Sequence, residues 1–326
     1  MTFSSSVVFV TIFLCVAYGN KCTFKNFDVV WRLVEIEEWK AGKIMDVHTN
    51  NPRIVQIDVN HNTTTKKNAP QERSICKETL QKLNDLYVLY SNSSSLKRIE
   101  ENSFEENRKL YHLDLQHNNL EKVPAKVFEN TNIRILRLNY NKIKHIASSA
   151  FDNMASLEIL DLSNNRIESL NPEWFKNTNK VIHLSLINNF ISTLDANVFR
   201  NLKHTNDSDD SKLLNIYLDR NRINWMDPKA FDGLEKLRIL SIANNNLHTL
   251  SKDAFKTLDY ITVLDLTFND ITCVDQDLRI FEKASRILAM NNPWDCNCVL
   301  NMETKLHKTL AIQVESIKCK YLSTFF

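Results

Sequence analysis

From Leu110 onward one arrangement of apolar and polar positions keeps returning. The stretches "LYHLDLQHNNL" from Leu110, "IRILRLNYNKI" from Ile133 and "LEILDLSNNRI" from Leu157 share it: apolar, two variable, apolar, one variable, apolar, two variable, Asn. The register recurs at Val181, Leu213, Leu237 and Ile261, with weaker copies from Ile54 and Leu83 and a last partial copy from Ala284. Starts are spaced by 23 or 24 residues, except for longer units after Ile54, Leu83 and Val181. A period of this length marks a stack of coils. Apolar residues on alternate positions, such as Leu113 and Leu115, predict one short strand per coil with one buried face. Coil laid on coil then makes a parallel sheet.

Two more columns follow from the period. Asn118, Asn141, Asn165, Asn189, Asn221, Asn245, Asn269 and Asn292 each close a strand motif, where the chain must turn. A carboxamide both donates and accepts, so these side chains are expected to satisfy turn backbone inside the stack. Ten positions further on stand Phe128, Phe151, Phe175, Phe199, Phe231 and Phe255, with Phe104 as the counterpart one coil earlier. They predict a buried aromatic spine on the convex side. All of these positions read as structural rather than as a site.

The pattern resembles the leucine-rich-repeat family over roughly residues 83 to 298. The resemblance implies an α/β repeat fold, a leucine-rich-repeat solenoid with a curved, parallel, concave β-sheet. A solenoid exposes apolar core at both ends, so caps are required, and cysteines near both ends point to disulfide caps.

The chain begins "MTFSSSVVFVTIFLCVAYGN", an apolar run from Val7 to Tyr18 with small residues at Ala17 and Gly19, as a signal peptidase reads. This predicts a secreted, extracellular product. Removing residues 1–19 takes Cys15 with it and leaves Cys22, Cys76, Cys273, Cys296, Cys298 and Cys319, an even number that favours disulfides. The expected divisions are a signal peptide (1–19), an N-terminal cap with an irregular first repeat (20–82), the repeats (83–283), and a last partial repeat with a cysteine cap (284–326). Cys22 and Cys76 are expected to fasten the N-terminal cap. In "NNPWDCNC", Asn292 holds the ladder position and Trp294 the slot of a core leucine, while Val299, Met302, Leu306 and Leu310 beyond fall on one helical face.

This end resembles the cysteine-flanked C-terminal cap of extracellular leucine-rich-repeat proteins, which usually carries four cysteines. Here the chain ends before a fourth, and Cys273 is expected to supply it. Family analogy implies Cys296 with Cys319, leaving Cys273 for Cys298. Stacking of equivalent positions about 4.8 Å apart favours Cys273 with Cys296, leaving Cys298 for Cys319. A reduced N-terminal cap together with "WDC" is also similar to the secreted leucine-rich-repeat immune proteins of mosquitoes, without the coiled coil many of them carry.

A net charge of +2 from 41 basic and 39 acidic residues, with no long basic run, points away from nucleic acid and anionic membranes as partners. No second apolar segment reaches spanning length, so no membrane insertion is expected. Three glycines, Gly19, Gly42 and Gly233, cannot build a dinucleotide fingerprint or a P-loop, and neither H-E-x-x-H nor G-x-S-x-G occurs. His112, His117 and His183 face the concave side by register but have no Cys or carboxylate at ligand spacing. No enzyme, cofactor or metal is expected.

The unit from Val181 is eight residues longer than its neighbours, the excess falling at "HTNDSDDS", residues 204–211, a polar loop expected to protrude. Its Asp207, Asp209 and Asp210 lack the Gly and Glu of an EF-hand loop and read as a solvated run. Candidate N-glycosylation sites are Asn206 in that loop, Asn92 in the overlong unit from Leu83, and Asn62, the last being a buried ladder residue if the coil at Ile54 is genuine.

What remains for function is the open side of the strands. One column is expected to run Tyr87, Asp114, Arg137, Asp161, Ser185, Tyr217, Ser241, Asp265, and a rim column Tyr90, His117, Tyr140, Asn164, Asn188, Arg220, Asn244, Phe268. Aromatic and charged residues gather on the first coils, so Tyr87, Tyr90, Asp114, His117, Arg137 and Tyr140 are the candidate ligand-binding set. The opposing reading is that Asp114, Arg137 and Asp161 simply pair across strands. The expected function is non-enzymatic recognition of an extracellular protein ligand on the concave face, in immune defence, with the oligomeric state left open. The alternatives are an adhesion or receptor-type ectodomain lacking its anchor, or a hydrolase inhibitor.

Overall fold

The computed structural model describes residues 83–202, 213–250, 253, 255–274 and 283–298, with the segments 14–18, 21–25, 54–56, 73–75 and 77–80. One parallel sheet carries ten strands in strict chain order. They are β1 (Ile54–Gln56), β2 (Val88–Tyr90), β3 (His112–Asp114), β4 (Ile135–Arg137), β5 (Ile159–Asp161), β6 (His183–Ser185), β7 (Leu214–Tyr217), β8 (Lys236–Ser241), β9 (Tyr260–Asp265) and β10 (Ala284–Leu288). Strand centres Leu89, Leu113, Leu136, Leu160, Leu184, Ile216, Leu240 and Leu264 are buried, as the alternation requires. The chain is a parallel solenoid.

The asparagine ladder does what the carboxamide chemistry predicts, and it does so between coils as well as within them. Asn165 donates from Nδ2 to Leu162 O of its own coil at 3.0 Å and to Leu138 O of the preceding coil at 3.0 Å. Its Oδ1 accepts from Ile143 N, also of the preceding coil, at 2.9 Å. Asn141, Asn189, Asn221, Asn245, Asn269 and Asn292 repeat this arrangement. All eight ladder residues are buried. The phenylalanines stack behind them in two runs, Phe104 to Phe175 and Phe199 to Phe255, with centroids 5.4 to 6.2 Å apart.

The early coils correct the sequence register. Leu89 pairs with Leu113 and Tyr90 with Asp114, so that coil starts at Leu86, not Leu83, and is no longer than its neighbours. Short and polar, Ser94 fills the ladder slot that Asn holds in the later coils. Its N–H donates to Asn118 Oδ1 at 3.0 Å. Ile54–Gln56 does pair with Val88–Tyr90, Val55 opposite Leu89. Asn62 lies outside the described residues, as does the 204–211 stretch with Asn206.

At the C-terminal end Cys273 is bridged to Cys298, Cα atoms 5.7 Å apart. That is the pairing implied by the family analogy, and simple stacking of Cys273 on Cys296 is excluded. Cys296 is disulfide-bonded as well, to a partner outside the described side chains. Trp294 packs on the core in the leucine slot and donates from Nε1 to Ala289 O at 2.9 Å. The helical face beyond Val299, Cys319 and the side chains of Cys22 and Cys76 lie outside the described residues.

At the other end Leu14–Tyr18 runs antiparallel to Lys21–Lys25 and beside Arg73–Ile75, which in turn pairs with Leu96–Ile99. The inner strand of that small sheet, Leu14–Tyr18, falls within residues 1–19, the stretch expected to be a signal peptide.

Because each ladder Asn joins two coils, Asn165→Ala should lower unfolding free energy by roughly 3 kcal/mol, orphaning the Ile143 N–H and two carbonyls. The exposed Ser169→Ala should stay within about 0.5 kcal/mol. Chemical denaturation checks both, and equal midpoints for the two variants would remove the ladder from the account.

Candidate binding surface

Each strand turns two side chains to the open face, one on either side of its buried centre. By the pairing register the column after the centre reads Tyr90, Asp114, Arg137, Asp161, Ser185, Tyr217, Ser241, Asp265. The column before it reads Val88, His112, Ile135, Ile159, His183, Asn215, Ile239, Val263.

The expected six-residue set therefore divides into three groups. Tyr90, Asp114 and Arg137 lie side by side on β2, β3 and β4. His117 and Tyr140 stack on each other at the rim, centroids 4.3 Å apart. Tyr87 is not in the Asp114 column: it stacks on Tyr111 at 5.0 Å, at the edge where the strands begin. The slip of three residues in the first coil produced that misplacement.

Hydrogen bonding separates scaffold from surface within the column. Asp161 accepts from Ser163 N at 2.9 Å and Asp265 from Thr267 N at 3.0 Å, side chain closing the turn two residues on. Asp114 does the same with Gln116 N at 3.1 Å and is itself buried. Burial raises its carboxyl from the ordinary aspartate value, opposed by the Gln116 N–H and by Arg137, whose guanidinium is 3.8 Å away. The three aspartates are turn closers, and the cross-strand pair of Asp114 and Arg137 exists. Ser185 and Ser241 are also buried.

The column that the sequence reading passed over supplies the apolar part of the face. Ile135 and Ile159, adjacent on β4 and β5, are partly exposed and form a floor. His112 brackets it on one side, edge-on to Tyr90 at 5.3 Å, and His183 on the other, 5.0 Å from the Tyr217 ring. Burial raises both tyrosine hydroxyls and lowers both imidazoles, His112 to about 4 with Arg137 pushing the same way. His112 Nε2 finds no hydrogen-bond partner among the described residues. Two isoleucines between two neutral His–Tyr pairs make a shallow apolar cradle across six adjacent strands, with Arg137 as the polar handle. The signal was present as apolar residues next to core leucines, and it reads as core until the register is fixed.

The rim residue before each ladder position, the Ser94 slot included, is held at φ between 54 and 59° in nine coils. Asn tolerates this left-handed geometry, whereas other L-residues meet a cost of about 1 to 2 kcal/mol. Asn fills four of the nine, but Tyr140 and Phe268 stand there with half their surface exposed. Among the described residues no three His, Cys, Asp or Glu converge as a metal site requires, and no helix is long and apolar enough to cross a membrane.

The unfolded chain protonates His112 near 6.5 and the folded chain only near 4, so protons favour the unfolded state between those values. Stability should fall as pH drops from about 6.5 toward 4 and then level off for this group. His112→Ile, matching Ile135 one coil on, should flatten that fall. Denaturation midpoints at stepped pH check it, and identical slopes would contradict the burial of His112.

Comparison with known proteins agrees with this geometry. A family model described as Leucine rich repeat matches residues 108–167, 155–206 and 211–271. Leucine-rich repeat-containing protein 3B of Danio rerio is 42% identical over 86 residues, 26% of this chain and 33% of that protein. The Homo sapiens protein of the same name is 30% identical over 106 residues, 32% of this chain and 40% of its own length. Lumican of Gallus gallus is 26% identical over 188 residues, 56% of this chain and 38% of lumican. The chain thus spans about a third of the length of the curated relatives it matches. Among solved structures, a leucine-rich-repeat protein of Leptospira interrogans superposes with TM-score 0.57 at 23% identity, over 74% of this chain and 57% of that one. TLR13 in its complex with ssRNA13 gives 0.56 at 24%, over 66% and 30%. At these identities the likeness is one of fold. The repeats of this chain are leucine-rich repeats, by period, by asparagine ladder and by family match.

Proposed function

We propose that this chain is a secreted, non-enzymatic recognition protein that holds an extracellular protein ligand on its concave face, in innate immune defence as the cap resemblance implies. The observation that carries the reading is the cradle of Ile135 and Ile159 between His112–Tyr90 and His183–Tyr217, with Arg137 beside it. Partly desolvated aliphatic and aromatic surface around one directed cation is the composition of interface hot spots. Ten strands give a sheet roughly 45 Å long, room for about 800 Å² of contact per partner. Secretion is supported by the leader-like first 19 residues, the bridged cysteines and the sequons. Asn92, two residues after β2, is partly exposed.

The test is capture of protein from extracellular fluid by the immobilised full chain, with the captured species then titrated against variants. Tyr90→Ala, Tyr217→Ala and Arg137→Ala should each weaken it by about 2 kcal/mol or more, with Glu106→Ala on the convex side neutral. Uniform affinity across all four would move the interface off this face. N-terminal sequencing of the exported protein should begin at Asn20, and an intact Met1 would remove the leader from the reading.

A further inference from the structure

Repetition gives each surface position its own internal controls. The position after the ladder Asn is held by Asn119, Lys142, Arg166, Arg222, Asn246 and Asp270, polar in every coil from Asn118 to Asn269 except one, where Phe190 stands. Four residues after the ladder Asn come Lys122, His145, Ser169, Thr193 and Thr249, with the disulfide-bonded Cys273 in the last coil and, as the exposed exception, Trp225. The two exceptions fall on adjacent coils, and both are exposed, Phe190 by 37% and Trp225 by 49%. Trp225 lies directly beside Thr193, three residues after Phe190. The guanidinium of Arg222 sits over the Phe190 ring, 4.3 Å from its centroid. Single exposed apolar residues need no explanation, but two neighbours that break an otherwise polar rule do.

We propose that this edge of the stack, where the strands end, is a second docking surface, centred on Phe190, Arg222 and Trp225, for an acidic protein partner. It is distinct from the concave cradle, which lies inside the sheet. Tyr140 and Phe268, also exposed, stand on the same edge. Between the rim residue and the fourth residue after the ladder Asn, from Asn118 to Asn269, the coils carry six basic side chains, Lys122, Lys142, Lys144, Arg166, Arg220 and Arg222. Against them stand three acidic ones, Glu121, Glu168 and Asp270. Lys144 and Glu168 pair at 3.2 Å. This excess of cations opposes symmetric packing against a second copy and complements an acidic surface. Aromatic rings with an arginine stacked on one of them provide the anchors.

The probe is a peptide taken from a random display library panned on the full chain. The selection should return sequences rich in Asp and Glu around one apolar anchor. The changes Phe190→Asn with Trp225→Thr, each borrowed from the neighbouring coils, should weaken a selected peptide by about thirtyfold or more. Arg222→Glu should weaken it too, while Tyr90→Ala with Arg137→Ala should leave it unchanged, so that failure of the concave reading and failure of this one are separate results. Undiminished binding to both edge variants, loss of binding in the concave variant alone, or a selection without acidic sequences would each overturn the proposal. So would a dimer in sedimentation that the edge changes dissolve, since the occupant would then be a second copy.

Discussion

A buried asparagine that bonds two coils at once is the constraint on which the rest of this molecule depends. A stack of short strands has little to hold the turn after each strand, where backbone groups point inward and away from water. An unpaired N–H or C=O there costs as much as a lost hydrogen bond. Asn141 answers with two carbonyls and one N–H, on its own coil and the one before. Asp in its place would lose the donors, and Gln would not fit the same reach. The residue type is therefore fixed by geometry, and the positions around it inherit their roles from it.

One inheritance is the left-handed residue that precedes each ladder Asn, and another is the short strand whose centre is always buried. Between them lie the positions that the fold leaves free. The free positions are where the chain departs from its own rule: tyrosines and histidines around two isoleucines on the open face, and Phe190 with Trp225 on the edge. Aspartates of the open face do not belong to that group, because Asp114, Asp161 and Asp265 close turns.

Period, ladder and spine were legible in the sequence because each rests on a residue type with one physical solution. The register of the coil around Leu89 was not, since Ser91 and Ser94 replace the apolar residue and Asn that mark it elsewhere. That slip of three residues separated Tyr90 from Asp114 and put Tyr87 in its place. The cradle was missed for a different reason: an isoleucine beside a leucine carries no mark of which face it takes until strand pairing is known. The disulfide partner of Cys273 lay between two arrangements that spacing alone could not rank.

Native-state hydrogen exchange at the amides of Leu120, Ile143, Ile167, Ile191, Ile223, Leu247 and Ile271 tests the ladder most directly. Each of these N–H groups donates to an asparagine side chain of the following coil. The account predicts protection equal to that of the central strand amides, lost together over adjacent coils when one ladder residue is replaced. Exchange at the rate of exposed loop amides would contradict it.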